Sequence, residues 1–276
     1  ELAEKADEMK LPAVVITFEP QPQEFFTPER CPGRLTRFRE KIKALRRLAV
    51  DRVFSLHFNQ KLAAMEPEDF IQKILVDGLG VRYLVVGDDF RFGKKRRGNF
   101  EMLQQAGAKH GFQVVNMHTF QIAGERVSST RIRQTLKEGD LDHAEILLGR
   151  PYRMCGRVAH GHKRGRQIGF PTANIHLHRK VSPIEGVFAV EMFGVEGEPV
   201  SGVANVGTRP TVNGTRTVLE VHLFDFEGDI YGRHVMVDFL KKIRSEQKFD
   251  SFELLKEQIL LDAAQARAYF RLRYSN

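Results

Sequence analysis

The sequence predicts two architectures in series: an α/β half built as a parallel sheet with helices on both faces, then a β half built as a small antiparallel barrel with a C-terminal helix. Three observations carry this expectation. The chain has 276 residues, more than one core usually organises, and 42% of them are hydrophobic, enough for two. Up to about residue 149, short apolar runs alternate with segments of helical period, the pattern of strand–helix–strand units. Beyond residue 150, strand-like runs follow one another and helical spacing returns only at the end.

In order, "AVVITF" (13–18) reads as an apolar strand and 37–48 as a basic amphipathic helix. "RVFSLHF" (52–58), a helix over 68–77 and "YLVVG" (83–87) follow. A helix over 99–109 leads to "QVVNM" (113–117), and two short helices span 129–148. Ligands of such sheets sit at the carboxyl ends of the strands, which directs attention to "TFEPQPQEFF" and "GDDFRFG". After a boundary near "LLGRPY" (147–152), the strand-like runs are 186–195, 200–207, 217–224 and 234–240, broken by Gly, Pro and Asn. The closing helix carries Phe252, Leu255, Ile259 and Ala266 on one face, with Asp250 and Glu253 spaced as a capping box. The expected domains are therefore 1–149 and 150–276.

The formal charge of +8 favours anionic partners. Much of the excess lies in "GKKRRGN" (93–99) and "GHKRGR" (161–166), and such local clusters suit a compact phosphate ligand. No apolar run reaches the length of a membrane span, and no basic-then-apolar leader is visible, so a cytoplasmic protein is expected. Cys31 and Cys155 stand far apart with no C-x-x-C partner, which speaks against a disulfide framework or a zinc site. His160/His162 and His176/His178 have strand spacing for a shared ligand, but no cysteine or carboxylate completes either set.

The densest candidate is "GRVAHGHKRGRQIGFPTAN" (156–174). Gly161, Gly165 and Gly169 let backbone N–H groups approach a ligand, and Lys163, Arg164 and Arg166 add charge for phosphate oxygens. Thr172 and Asn174 alternate across Ala173 and offer two oxygen donors of the kind Mg²⁺ takes beside nucleotide phosphates. A solvated basic hairpin followed by a proline turn is the other reading of the same stretch. Glu220 in "TVLEVHLF" shares a strand face with Val218 and His222, a setting for a carboxylate that accepts a proton from a substrate hydroxyl. A solvent-facing Glu on an outer barrel face fits that alternation as well. In "VSSTRIRQTL", Ser128, Ser129 and Thr130 can cap a helix whose N-terminus, with Arg131 and Arg133, makes an anion site. The phenylalanines of "GDDFRFG", with Pro20, Pro22 and Phe26, suit stacking on a planar ring.

Taken together, "TFEPQPQEFF", "RLTRFREK", "GDDFRFG", "VSSTRIR", "GRPYRMCGRVAHGHKRGRQIGFPTAN", "GVANVGTRPT", "LEVHLF" and "KKIRSEQKF" resemble the bacterial bifunctional riboflavin kinase/FMN adenylyltransferase, or FAD synthetase, family along essentially the whole chain. The resemblance implies a Rossmann-like nucleotidyltransferase domain followed by a riboflavin kinase barrel. In the barrel it implies Mg²⁺ on Thr172 and Asn174, a Gly/Arg loop over the ATP phosphates (Gly161, Lys163, Arg164, Gly165, Arg166, Gly169), Glu220 as the base for the ribityl 5′-hydroxyl, and Arg244 on the flavin side. In the first half it implies ATP phosphates at Ser129, Thr130 and Arg133, and flavin lined by Pro20, Pro22, Phe26, Asp89 and Phe92. The implied substrates are riboflavin, FMN and ATP, with no nucleic-acid or membrane partner. No aromatic RNA-binding string or helix-turn-helix accompanies the basic loops.

Two departures qualify the resemblance. The family usually opens on a strand and an H-x-G-H nucleotide motif, whereas "ELAEKADEMK" resembles the back half of the helix that follows it. Riboflavin kinase activity alone is therefore the alternative expectation. Gln21 also stands between two prolines where many members carry His, a change expected to tune the flavin pocket.

Overall fold

The computed structural model describes residues 2–275 except 88, 118–119, 161–168, 178, 180 and 212–213. The chain divides into two compact units, Glu1–Cys31 with Arg37–Arg126, and Pro32–Thr36 with Val127–Asn276.

The first unit is α/β. Its elements are α1 (Leu2–Met9), β1 (Val14–Glu19), α2 (Pro22–Phe26), α3 (Phe38–Arg46), β2 (Arg52–His57), α4 (Gln60–Ala63) and α5 (Pro67–Phe70), which runs on into a π turn (Ile71–Val76). Then come β3 (Tyr83–Gly87), α6 (Phe100–His110), β4 (Gln113–Met117) and the two-residue strands β5 (Gln121–Ile122) and β6 (Glu125–Arg126). β1 and β2 pair in parallel from Val14↔Arg52 to Glu19↔His57, and β3 and β4 from Tyr83↔Gln113 to Gly87↔Met117. A parallel pair needs a crossover, and α3 and α6 supply the two. The Asn99 side chain starts α6 by accepting the Met102 N–H at 2.9 Å. Phe70, Ile71, Leu75, Phe92 and Leu103 form the buried core. A mainly apolar cavity of about 470 Å³ is lined by residues of both β1 and β3, among them Val14, Ile16, Tyr83 and Val85.

The second unit is a closed barrel with helices. It comprises α7 (Ser129–Glu138), α8 (Leu141–Leu148), β7 (Tyr152–Ala159), β8 (Ala173–His176), β9 (Gly186–Phe193), β10 (Val200–Thr211), β11 (Gly214–Leu223), β12 (His234–Arg244) and α9 (Phe252–Tyr274). The strands close in the order β10-β11-β8-β7-β12-β9, every pairing antiparallel, and closure removes the exposed edge of an open sheet. Alternation sends Met154, Phe188, Met192, Leu219, Val221 and Val237 to the interior, all fully buried. Ile132 and Leu136 of α7, and Leu141, Ala144 and Leu147 of α8, belong to that same buried cluster. On the outer face, Val187, Ala189, Val203 and Leu240 are covered by Ala263, Ala266 and Phe270 of α9.

The start of α9 departs from the expected capping box. Ser251, not Asp250, is the last extended residue, and its side chain accepts the Leu254 N–H at 3.2 Å. The cap lies one residue further on because a side chain caps by reaching the N–H three positions ahead. The buried face of α9 is accordingly Asp262, Ala263, Ala266 and Phe270, whereas Phe252 is 48% exposed.

Candidate active site on the outer face of the barrel

The same alternation that buries Leu219 and Val221 turns Glu220 and His222 outward. Register then decides what Glu220 meets. Asn205 of β10 is its Cα partner on one side and Asn174 of β8 on the other. Ala159 of β7 lies beyond Asn174, and Val187 of β9 beyond Asn205. Residues directly opposite in antiparallel strands share a face with Cβ atoms about 5 Å apart. One carboxylate therefore sits between two amide side chains on one half-buried patch. Thr172 precedes β8 by one residue, and alternation assigns it to the face of Asn174.

The patch has two boundaries along β11. Toward the strand's C-terminus stands His222, whose ring lies 4.3 Å from Phe170 and 5.9 Å from Phe224. Its Nδ1 lies 2.9 Å from the Pro171 carbonyl. Burial pushes the His222 pKa below the ordinary histidine value and Arg267 adds to this, while the Pro171 carbonyl and Asp225 oppose it. Toward the other end, Gly207 faces Val218 across the ladder and carries the Glu246 carboxylate against its Cα, where a Cβ would collide with it.

Arg244 occupies the same transverse row, paired with Val187, which in turn pairs with Asn205. Three strand spacings of about 4.8 Å separate it from Glu220, roughly 14 Å along the sheet. Its guanidinium forks onto Asp262 of α9 at 2.8–3.1 Å, its Nη1 donates to the Ser245 carbonyl at 3.0 Å, and Phe249 lies 5.7 Å away. The barrel thus joins Glu220 to Asn174 and holds Arg244 apart from them. Gly169 has φ +75°, a left-handed conformation open to glycine at little cost. Gly161, Lys163, Arg164, Gly165 and Arg166 lie outside the described residues. Among the described residues no group of three His, Cys, Asp or Glu side chains is arranged to hold a metal; His162 and His178 lie outside the described residues, and the His160 ring lies 3.9 Å from that of Tyr231, tilted by 31°.

The helix-start group belongs to the barrel's unit. Ser128 caps α7 by accepting the Arg131 N–H at 3.2 Å, leaving Ser129 and Thr130 exposed in its first turn. Arg133 donates to the Gly33 carbonyl at 2.8 Å and the Ser129 carbonyl at 3.2 Å. In the first unit, Pro20 follows β1 and Pro22 opens α2. Phe26 is 63% exposed and meets Phe25 and Phe58 edge-on at 5.3 and 5.7 Å. Asp89 is exposed and ion-pairs with Arg126 at 3.7 Å. Phe92 is a core residue, stacked on Phe90 at 5.6 Å and packed on Phe70 at 5.4 Å.

The riboflavin kinase profile matches residues 148–270 and the FAD synthetase profile residues 1–131. The bifunctional riboflavin kinase/FMN adenylyltransferase of Escherichia coli (strain K12) is 50% identical over 271 residues, 98% of this chain and 87% of that protein. The protein of the same name from Haemophilus influenzae is 51% identical over 269 residues, again 98% and 87%. This chain belongs to the bifunctional riboflavin kinase/FMN adenylyltransferase family. A solved Streptococcus pneumoniae structure described as a macrolide-efflux protein shares the fold, with a TM-score of 0.78, 32% identity, and 94% of this chain and 84% of that chain covered. Among the described residues no helix is long and apolar enough to cross a membrane.

In this riboflavin kinase/FMN adenylyltransferase family member, the row Asn205–Glu220–Asn174 falls inside the riboflavin kinase match. Pro20, Pro22, Phe26, Asp89, Phe92, Ser129 and Thr130 fall inside the FAD synthetase match, and Arg133 lies two residues past its end. Sequence reading missed Asn205 and Glu246 as neighbours of the patch. For Asn205 a signal was present: in "VSGVANVG" it follows Val203 and precedes Gly207 at a spacing of two, the outward parity of β10. For Glu246 there was none, because its place on Gly207 depends on how the chain turns after β12.

Proposed function

We propose that this chain makes FAD from riboflavin in two ATP-dependent steps, phosphorylating riboflavin to FMN in the barrel half and adenylylating FMN, with release of pyrophosphate, in the α/β half. The carrying observation is the register that sets Glu220 directly across from Asn174. Glu220 accepts the proton of the ribityl 5′-hydroxyl as that oxygen attacks the γ-phosphorus of ATP and ADP leaves. Little covalent chemistry is required of the protein, since positioning and charge neutralisation dominate phosphoryl transfer. The Thr172 hydroxyl and the Asn174 amide oxygen are hard donors that fit Mg²⁺ and would hold it, and the ion would offset the charge that develops in phosphoryl transfer. Gly169 and the basic residues 161–166 cover the nucleotide phosphates, and Arg244 with its loop forms the flavin side.

In the α/β half the FMN phosphate, already ionised at neutral pH, attacks the α-phosphorus of ATP. Ser129, Thr130 and Arg133 hold nucleotide phosphates at the N-terminus of α7, where N–H groups and the helix dipole favour an anion. Pro20, Pro22, Phe26, Asp89 and Phe92 shape the flavin pocket. The functional domains are 1–149 and 150–276, and the positive charge serves small phosphorylated substrates, not nucleic acid. Cys31 and Cys155 are not joined in a disulfide, which suits the cytoplasm.

Product analysis tests both steps. Riboflavin with ATP and Mg²⁺ should give FMN and then FAD on chromatography, and FMN with ATP should give FAD and pyrophosphate. Glu220→Gln should slow the first step by about 10²–10⁴-fold while riboflavin binding, read by fluorescence quenching, persists. Full turnover in that variant would remove Glu220 from the mechanism.

A further inference from the structure

Backbone pairing between β11 and β8 ends at Val221↔Ala173, so the ladder does not hold the residues just before Ala173, Thr172 among them. His222 stands where the ladder stops. Its Nδ1 lies 2.9 Å from the Pro171 carbonyl, and its ring lies 4.3 Å from Phe170 at an interplanar angle of 40°. A carbonyl only accepts, so Nδ1 carries the proton of this bond.

The Pro171 carbonyl and the Thr172 nitrogen belong to one rigid peptide plane. A side chain that holds that oxygen therefore fixes the direction in which Thr172 leaves Pro171. Phe170 is itself packed against the cluster between barrel and α9, so the ring contact ties the segment to a fixed wall. We propose that His222 is a positioning residue: from the strand of Glu220 it grips residues 170–171 and thereby sets the oxygen donor of Thr172 against that carboxylate, beside Asn174, which the ladder itself holds. The inference rests on the riboflavin kinase reading and adds to it a residue that touches no substrate.

Three variants of the full chain test it. Asn places an amide N–H close to the position of the histidine Nδ1, whereas Gln places one near Nε2, and Ala has neither. His222→Ala should raise the KM for MgATP about five- to tenfold, the scale of one lost hydrogen bond, with the riboflavin KM unchanged. It should also weaken equilibrium binding of Mg-ADP and speed hydrogen exchange at 172–174, two readouts independent of turnover. His222→Asn should restore all three and His222→Gln none. Unchanged MgATP KM and Mg-ADP affinity in His222→Ala would overturn the proposal, as would equal behaviour of the Asn and Gln variants, which would reduce His222 to packing. A wild-type chain that makes no FMN sinks the kinase reading; one that makes FMN while His222→Ala keeps its MgATP affinity sinks this inference alone.

Discussion

Gly207 shows how one missing side chain shapes the edge of the patch. It lies on the outward parity of β10, two residues beyond Asn205, and the Glu246 carboxylate rests where its Cβ would be. The obstructing atom is the far end of a flexible side chain and not backbone, so an added methyl displaces Glu246 without straining the barrel. Gly207→Ala should therefore leave the unfolding midpoint within about 2 °C of wild type, since only the end of the Glu246 side chain has to give way. The loop after β12 starts directly beyond Arg244 and carries Phe249 against its guanidinium, and displacing Glu246 moves that loop. Fluorescence titration should then show weaker riboflavin binding; unaltered binding would separate this loop from the flavin.

At the level of elements, α9 is fastened by two ion pairs of unequal value. Arg244–Asp262 joins the end of β12 to the middle of the helix, with side-chain exposures of 20% and 4%. Arg267–Asp225 is also bidentate, but the Asp225 side chain is 78% exposed. Removing one member of a buried pair strands the other charge, so Asp262→Ala should destabilise the barrel by about 3 kcal/mol. Arg267→Ala should change stability by less than about 1 kcal/mol, much of it lost packing of the guanidinium over Phe224. Urea midpoints of the two variants give the comparison, and equal losses would refute the ranking. Losing the Ser128 cap of α7 should cost about 1 kcal/mol in the same assay.

Elements also explain what could be read beforehand. β1–β4 are legible as short apolar runs between segments of helical period, and β9–β12 as strand-like runs that follow one another. β7 is not: its inward series Tyr152, Met154, Val158 is broken at Gly156, where the backbone of His176 leaves no room for a Cβ. β8 is four residues long with one core position, Ile175, too few for any period to show. Glu220, Thr172 and Asn174 could be suspected from their residue types, yet their meeting is a matter of register between strands 46 residues apart in sequence at Glu220 and Asn174. No local pattern carries register, so the outward Glu of a solvated face and the Glu beside an Asn looked alike.

For the molecule as a whole, two boundaries compete. The riboflavin kinase profile begins at residue 148, close to the expected functional division at 149/150. Packing divides the chain at Arg126/Val127 instead, because α7 and α8 place Ile132, Leu136, Leu141, Ala144 and Leu147 in the barrel's own buried cluster. The two helices thus complete the core of the barrel unit. A fragment of residues 150–276 would then expose apolar surface that those helices cover, each buried Leu or Ile contributing about 1.5–3 kcal/mol relative to exposure. Fragment 127–276 should unfold cooperatively and phosphorylate riboflavin with a kcat near that of the full chain. Fragment 150–276 keeps Glu220, Asn174 and His222 but should unfold at lower urea and bind a hydrophobic dye more strongly. Equal midpoints for the two fragments would show that α7 and α8 are passengers of the barrel, and would return the structural boundary to residue 150.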